Sequence, residues 1–233
     1  MLTVEQLEEL KQFDSPTICN AIERFNVRSK VEGWLSHKIT QVIPYEGPMV
    51  GYASTAKFAT AKAPEKPLPM EGYFRHIQAT PRPSISVQED LEPEVVAALW
   101  GEVNCHIHMS LGSLGTVTNG GVRDLKEAKA LGFRYHASCV AVSHGYIHIE
   151  DCNCPVNLFG LTIRPGDLLF CDNQGVVTIP HEVADKLAEA CRKIIAAEFP
   201  VIRFCKDAIT AGKEIDIAEL LKWQAVMKKL RVE

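Results

Sequence analysis

The chain has 233 residues, of which 46% are hydrophobic and 23% are charged, a composition typical of globular proteins rather than disordered or fibrous ones. It carries 29 acidic and 25 basic side chains, for a formal net charge of −4, which together with the lack of a basic block argues against nucleic acid as the main ligand. No apolar run reaches the roughly 18 residues of a membrane span, and the first residues lack signal-peptide features. We therefore expect a cytoplasmic protein with no membrane partner, whose eight cysteines are reduced thiols.

The first sixty residues predict two helices followed by two strands. Apolar residues at helical spacing predict a helix over 3–11. A second helix is predicted to begin at Ser15 and Pro16, because a cap residue followed by proline is typical of a helix start. Strand-like runs follow at 39–44 and 49–59, with a Gly-Pro turn between them.

A proline-rich stretch separates these elements from the middle of the chain. Five prolines between residues 64 and 83 predict a long surface loop over 63–84. Whether this loop shapes a pocket or an interface stays open. Beyond it, a strand is predicted from Ser84, helical periodicity covers 93–111, and a buried strand is predicted from Gly115.

The rest of the chain predicts short strands and then helices. The strands, separated by tight turns, are predicted at 139–143, 145–149, 156–163, 168–171 and 175–179. The helices are predicted at 181–198, 200–211 and 216–230. This order predicts a single α/β (α+β) domain over 1–233, with a core at about 13–198 and a helical extension at 199–233.

The segment 111–124, LGSLGTVTNGGVRD, carries the most informative chemistry. Its glycine pair allows positive φ or a close backbone approach, while Arg123 offers a planar fork for a carboxylate. Asp124 offers hard oxygen ligands for Mg²⁺ or Mn²⁺, so the two side chains suit a bound 2-oxo acid. An alternative stays open: Asp124 is also a good N-cap for a helix over 125–131, with Glu127 completing a capping-box pattern.

Three motifs in order carry a resemblance to a known family: WGE at 100–102, NGGVRD at 119–124, and GLTIRPGD with DNQGVVTIP between 160 and 180. The chain resembles the RraA-like family, which joins 4-hydroxy-4-methyl-2-oxoglutarate aldolases with the regulator of ribonuclease activity A. Some members are labelled dimethylmenaquinone methyltransferase. The resemblance implies a swivelling β/β/α domain with additional N- and C-terminal helices, assembled as a homotrimer or homohexamer with sites between subunits.

The resemblance also implies roles for particular residues. In catalytic members the arginine of the Gly-x-x-Arg-Asp loop holds the pyruvyl carboxylate and the following aspartate anchors a divalent metal, positions held here by Arg123 and Asp124. Glu102 stands where the family usually has aspartate, and is implied to organise metal-bound water and relay a proton. The other implied site residues are the backbone facing the substrate carboxylate at Gly101, Val103 and Asn104, and a carboxylate reaching a neighbouring subunit's site, through water at the metal, at Glu198.

These observations predict a metal-dependent lyase that cleaves 4-hydroxy-2-oxo acids to pyruvate. Oxaloacetate decarboxylation is a candidate side activity because it leaves the same enolate. The alternative is a non-catalytic regulator that binds a ribonuclease or another protein, and the presence of Asp124 favours the enzyme. A Schiff base on Lys126 or Lys129 is disfavoured, because lysines on a short amphipathic helix are usually solvated. A zinc site at Cys152 and Cys154 is disfavoured because Cys-x-Cys lacks zinc-ligand spacing.

Overall fold

The computed structural model describes residues 1–35 and 37–232. In chain order the helices are α1 (Val4–Leu10), α2 (Ser15–Glu23), α3 (Met70–Ala79), α4 (Glu102–Ser110), α5 (Leu125–Leu131), α6 (Leu187–Ala211) and α7 (Ile217–Val232). The strands are β1 (Trp34–Leu35), β2 (Thr40–Gln41), β3 (Met49–Ala59), β4 (Ser84–Asp90), β5 (Ala98–Trp100), β6 (Ser113–Val122), β7 (Arg134–Val140), β8 (His148–Cys152), β9 (Val156–Leu158), β10 (Leu161–Ile163), β11 (Leu168–Asp172) and β12 (Gly175–Ile179).

The described residues divide into two compact units. One comprises Met1–Lys30 together with the chain from Glu182 onward, and the other comprises Val31–His181. The first unit contains helices α1, α2, α6 and α7, and the second contains the strands with α3, α4 and α5. None of these helices has the length and apolar character that crossing a bilayer requires. That the two units act as one domain stays a prediction.

Helix boundaries in the first unit differ from the sequence prediction, and the helix predicted from residue 181 begins only at Leu187. The N-cap of α2 is Asp14 rather than Ser15, and its carboxylate accepts a hydrogen bond from the Thr17 backbone at 2.9 Å. The predicted break between residues 198 and 200 is wrong, because α6 continues through Pro200 as one helix. Proline removes one hydrogen-bond donor from a helix and crowds the preceding turn. Packing of α6 against α2 and α7 keeps the helix continuous despite that cost.

The second unit holds a mixed sheet, which has ten strands within the described part of the chain. Its order is β1-β12-β11-β3-β4-β6-β7-β2, with β5 paired to β6 and β8 paired to β3. The β3–β4, β4–β6, β6–β7 and β5–β6 pairs are parallel. A separate hairpin joins β9 to β10. The predicted α/β class, with helices added at both ends of the chain, is confirmed.

The proline-rich segment over 63–84 is not a continuous loop. Helix α3 forms between its prolines, because they stand before Met70 and after Ala79 and leave the ten residues of the helix free of proline. Tyr73 and Ile77 are the buried residues of this helix, so part of the segment contributes to the core. The number of prolines in the segment therefore does not reveal α3, because their positions rather than their number leave room for the helix.

The predicted helix over 93–111 forms only in its second half. Residues Ala98–Trp100 form β5, and α4 begins only after Gly101. All three residues of β5 are buried, so their apolar pattern fits a buried strand and a helix equally well. The glycine pair at 120–121 likewise lies inside β6 rather than in a loop, and neither glycine has positive φ.

Helix α4 is fastened to the sheet by a buried histidine. His108 is 2% exposed, and its ring lies 4.4 Å from the Trp100 ring, centroid to centroid. Its Nδ1 is 2.7 Å from the hydroxyl of Ser86 on β4. Burial disfavours the charged imidazolium and lowers the pKa of His108 to about 3. The anchor therefore requires a neutral ring.

We expect His108 to make the fold sensitive to acid. The unfolded chain takes up the proton near the ordinary histidine pKa of about 6.5, whereas the folded protein resists until near pH 3. The contribution of neutral His108 to the free energy of unfolding is thus complete above pH 6.5. It falls by about 1.4 kcal/mol for each pH unit below that. In urea unfolding between about pH 6.5 and 4.5, His108→Gln should reduce the slope of the free energy of unfolding against pH. The exposed His106→Gln on the same helix should keep the wild-type slope, and an unchanged slope in His108→Gln contradicts the assignment.

Candidate active site

A cleft lies where two parallel strands end. Trp100 of β5 pairs with Val122 of β6, so the residues that follow each strand leave the sheet side by side. Carboxyl ends of parallel strands are where α/β proteins place ligands. The cleft has a volume of about 280 Å³, and the predicted residues Gly101, Glu102, Val103, Asn104, Arg123 and Asp124 all line it. Residues that are 22 positions apart in the chain are thereby brought together.

Asp124 does not cap helix α5. It occupies the N-cap position with left-handed φ and ψ of 56° and 47°, and its side chain makes no capping hydrogen bond. Its Oδ2 instead accepts a hydrogen bond from the Glu102 backbone N–H at 2.9 Å. The left-handed conformation, uncommon for aspartate, thus turns the carboxylate toward the cleft and the N-terminus of α4. The alternative that the sequence left open, in which the Asp124 side chain caps α5, is therefore wrong.

Arg123 is held at both its backbone and its side chain. Its N–H donates to the Trp100 carbonyl at 2.9 Å, and its own carbonyl accepts from the Tyr135 hydroxyl at 3.2 Å. In the side chain, Nη1 donates to the Val142 carbonyl at 3.1 Å, and Nε lies 3.8 Å from Asp124 Oδ2. About a third of the side chain is exposed, at 36%. The remaining guanidinium donors are available to an anion in the cleft.

The absence of a side chain at Gly101 makes room for the two charged residues. A Cβ atom there would lie 2.7 Å from Asp124 Oδ2 and 3.0 Å from Arg123 Nε. The φ of Gly101 is −151°, which any residue adopts. The reason for glycine is therefore space rather than backbone conformation.

Gly101→Ala should impair the site by displacing its charged side chains, although it replaces none of them. The added methyl group must displace the Asp124 carboxylate, the Arg123 side chain or both. Displacements of about 1 Å can cost up to about 10²-fold in rate, so we expect kcat/KM of any reaction that depends on Arg123 and Asp124 to fall by at least about tenfold. Differential scanning fluorimetry should report a near-normal Tm. As a matched control, Gly72→Ala adds a methyl group with no heavy atom within 4 Å and should leave the rate unchanged.

The first turn of α4 presents backbone donors to the cleft. No acceptor for the N–H groups of Val103 and Asn104 lies within the described ranges, and the N-cap residue Gly101 has no side chain to supply one. The Asn104 side chain donates to the Leu99 carbonyl at 3.0 Å and so faces the strand. Glu102 projects from the first position of the helix and is exposed. Such a helix start is suited to binding a carboxylate.

Glu198 lies in the first unit, on α6, and is not among the cleft-lining residues. Its carboxylate lies 3.5 Å from Nη2 of Arg231 on α7. The implied reach of Glu198 into a neighbouring subunit's site stays a prediction.

The other candidate groups lie outside the cleft. Lys126 and Lys129 are exposed on α5 and do not line it. No group of three or more metal-ligating side chains occurs within residues 1–35 and 37–232. Burial raises the pKa of the Cys152 thiol, and that of Cys154 to about 11. No two of the eight cysteines, all of which are described, form a disulfide.

Sequence reasoning missed His144. This residue lines the cleft with Arg123 and Asp124, in the segment between β7 and β8. Its ring Nδ1 lies 2.9 Å from the Gly145 carbonyl. The adjacent Ser-His-Gly residues indicate a turn, but the approach of that turn to Arg123 depends on strand pairing across the sheet. No local pattern signals it.

The chain is similar to proteins of one family over most of its length. The RraA-like family model, described as Aldolase/RraA, matches residues 15–178. Protein DlpA of Legionella pneumophila is 27% identical over 217 residues, which make up 91% of this chain and 33% of DlpA. A protein of Halalkalibacterium halodurans, provisionally named a 4-hydroxy-4-methyl-2-oxoglutarate aldolase, is 30% identical over 106 residues, 45% of this chain and 50% of that protein. The matches thus span about a third and a half of the length of these two relatives.

The fold has solved counterparts. The crystal structure of Streptomyces coelicolor RraAS2, described as an unusual member of the RNase ES inhibitor RraA protein family, has a TM-score of 0.67 at 17% identity. The match covers 84% of this chain and 95% of that one. Identity at this level shows a shared fold. Because the family model covers well over half of the chain, and the motifs at 100–102 and 119–124 meet in one cleft within it, the chain belongs to the RraA-like family.

Proposed function

We propose that the protein is a divalent-metal-dependent lyase that cleaves 4-hydroxy-2-oxo acids to pyruvate, with oxaloacetate decarboxylation as a side activity. The RraA-like family includes both aldolase-type enzymes and RraA regulators, so membership alone does not decide between them. The observation that carries the proposal is the Asp124 carboxylate, which turns away from its own helix and into the cleft beside Arg123.

The 2-oxo acid would be bound through its carboxylate. Arg123 offers guanidinium donors, and the Val103 and Asn104 N–H groups at the start of α4 have no protein acceptor in the described ranges. Charge-assisted bonds from a guanidinium and from a helix N-terminus are the usual means of binding a carboxylate. The carboxylate would thus lie between β6 and α4.

The residues present fit a magnesium or manganese ion. These hard cations often bind proteins through one or two carboxylates, with water and substrate oxygens completing the shell. Asp124 would be the direct ligand, since Oδ1 has no partner within the described part of the chain, and Glu102 would bind through water. The ion, when bound, would act as a Lewis acid and stabilise negative charge on the keto oxygen of the substrate.

The chain's own residues would orient the bond that breaks. Arg123 and the α4 donors would hold the carboxylate end of the substrate and so limit the orientations open to its C3–C4 bond. Glu102, which is exposed and lines the cleft, would order water and relay protons. Retro-aldol cleavage transfers the C3–C4 electron pair into the enolate of pyruvate, which takes a proton at C3.

A pyruvate-release screen tests this function. The protein would be assayed with lactate dehydrogenase coupling on several 4-hydroxy-2-oxo acids and on oxaloacetate, with Mg²⁺ or Mn²⁺ and with EDTA. We expect turnover on at least one hydroxy acid and its loss in EDTA, recovered by adding either metal. If no hydroxy acid is cleaved, or if EDTA leaves the rate unchanged, the proposal is wrong. Capture of a ribonuclease by such an inactive protein would favour the regulator.

We also propose a homotrimer or homohexamer with sites between subunits. Val103 and Val142, which flank the cleft, are 71% and 89% exposed in the single chain, and apolar groups so placed at a site are suited to a subunit contact. Light scattering after size-exclusion chromatography measures the mass directly. A monomer would contradict this part of the proposal.

A further inference from the structure

His144 has no role in the function proposed so far, although it lines the same cleft as Arg123 and Asp124. Among the described residues that line the cleft, it is the one histidine, the residue type whose ordinary pKa lies nearest neutrality. The other charged cleft residues are Glu102, Arg123 and Asp124.

The turn that carries His144 is firmly held. The Ser143 carbonyl accepts from the Ala98 N–H of β5 at 2.7 Å, and the Tyr146 N–H donates to the Thr60 carbonyl at 2.9 Å. Between them, Gly145 has a φ of +53°, and a Cβ there would lie 2.7 Å from the Thr60 carbonyl oxygen. A chain fixed on both sides of His144 gives its ring a defined position at the cleft wall.

The same segment also orients Arg123. The Val142 carbonyl, two residues before His144, accepts from Arg123 Nη1 at 3.1 Å. One short stretch of chain therefore positions both the carboxylate-binding arginine and the histidine. A substrate held by Arg123 would extend along the wall that carries His144.

Hydrogen bonding defines which ring nitrogen is free. The His144 Nδ1 lies 2.9 Å from the Gly145 carbonyl oxygen, which can only accept, so Nδ1 carries the proton. In the neutral ring Nε2 is then an acceptor, and no protein donor for it lies within the described residues. This is the tautomer that a general base requires.

We propose that His144, rather than water ordered by Glu102, exchanges the proton with the substrate, a role that rests on the lyase function proposed above. Nε2 takes the proton of the C4 hydroxyl as the C3–C4 bond breaks, the C4 oxygen becomes a carbonyl, and the bond's electron pair forms the pyruvate enolate. The protonated ring then returns that proton to C3, which completes pyruvate. Proton and electrons balance within the substrate and His144, with no other reactant.

Comparing the rates of the two candidate reactions distinguishes a catalytic role of His144 from a structural one. Decarboxylation of oxaloacetate breaks a C–C bond without removing a hydroxyl proton, and its enolate can be protonated by water. His144→Gln should therefore lower kcat for 4-hydroxy-4-methyl-2-oxoglutarate cleavage by about 10²-fold or more, the usual contribution of a general base. It should leave oxaloacetate decarboxylation and calorimetrically measured pyruvate binding close to wild type. The control is His106→Gln, whose Nδ1 also faces a backbone carbonyl but whose ring does not line the cleft.

Each outcome has a distinct meaning. Selective loss of hydroxy-acid cleavage in His144→Gln, with His106→Gln unaffected, supports the inference. Equal loss of both reactions, or no loss of either, overturns it while leaving the lyase function intact. Failure of the wild-type protein to cleave any of the 4-hydroxy-2-oxo acids in the screen overturns the proposed function, and the role of His144 with it.

Discussion

Replacing Asp124 with asparagine is expected to lower kcat/KM for pyruvate release by about 10³-fold, the several kcal/mol that a Lewis acid contributes to stabilising an enolate. The reason is loss of the anionic ligand, since an amide binds Mg²⁺ far less well than a carboxylate. The fold should survive, because the amide oxygen of asparagine can still accept from the Glu102 N–H that now donates to Oδ2 at 2.9 Å. Steady-state kinetics with lactate dehydrogenase coupling measures the change.

Two comparisons make the Asp124 result specific. Asp185→Asn removes an exposed carboxylate from the other unit and should leave the rate unchanged. Titration calorimetry with Mn²⁺ and pyruvate should show heat for the wild-type protein and none for Asp124→Asn. Full activity in Asp124→Asn with a normal Tm would mean that the carboxylate holds no metal ion needed for turnover.

Arg123→Lys is expected to raise KM for the 2-oxo acid by about 10 to 10²-fold, with a smaller change in kcat. A guanidinium can keep its bond to the Val142 carbonyl and still offer a planar pair of donors to a carboxylate. A lysine ammonium is a point charge and cannot satisfy both partners with the same geometry. Initial rates over a wide range of substrate concentration separate the two constants.

The control for Arg123→Lys is a second exposed arginine. Arg203→Lys on α6 lies in the other unit and should leave KM unchanged. An unaltered KM in Arg123→Lys contradicts the carboxylate-binding role. A fall in kcat alone would instead assign Arg123 to the transition state.

Much of the site could be predicted from sequence because its chemistry lies in short motifs. The Arg-Asp pair and the Gly-Glu pair are each contiguous in the chain, and the structure brings them into one cleft. Their meeting depends on the parallel pairing of β5 with β6, which hydrophobic periodicity cannot reveal. For this reason the sequence predicts helix for β5, whereas the residues after it line the same cleft as Arg123 and Asp124.

Other features depended on three-dimensional context. The left-handed conformation of Asp124 distinguishes a carboxylate that faces the cleft from one that caps a helix, and both have the same sequence pattern. Gly101 is required by two side chains that are distant in the chain, and His144 approaches the cleft only through the β6–β7 pairing. The sequence does not predict α3, because the prolines on either side of it indicate a loop although the ten residues between them contain none.

The shortness of β5 has a consequence for the energetics of ligand capture. This three-residue strand pairs with β6 and is followed directly by the start of α4, so opening of the β5–β6 pairing would disturb both sides of the cleft. A ligand that bridges Arg123 and the α4 backbone binds only the closed form and therefore opposes such opening. Occupancy should slow amide hydrogen exchange at Ala98 and Trp100, which makes the strand a reporter of substrate capture as well as a scaffold for it.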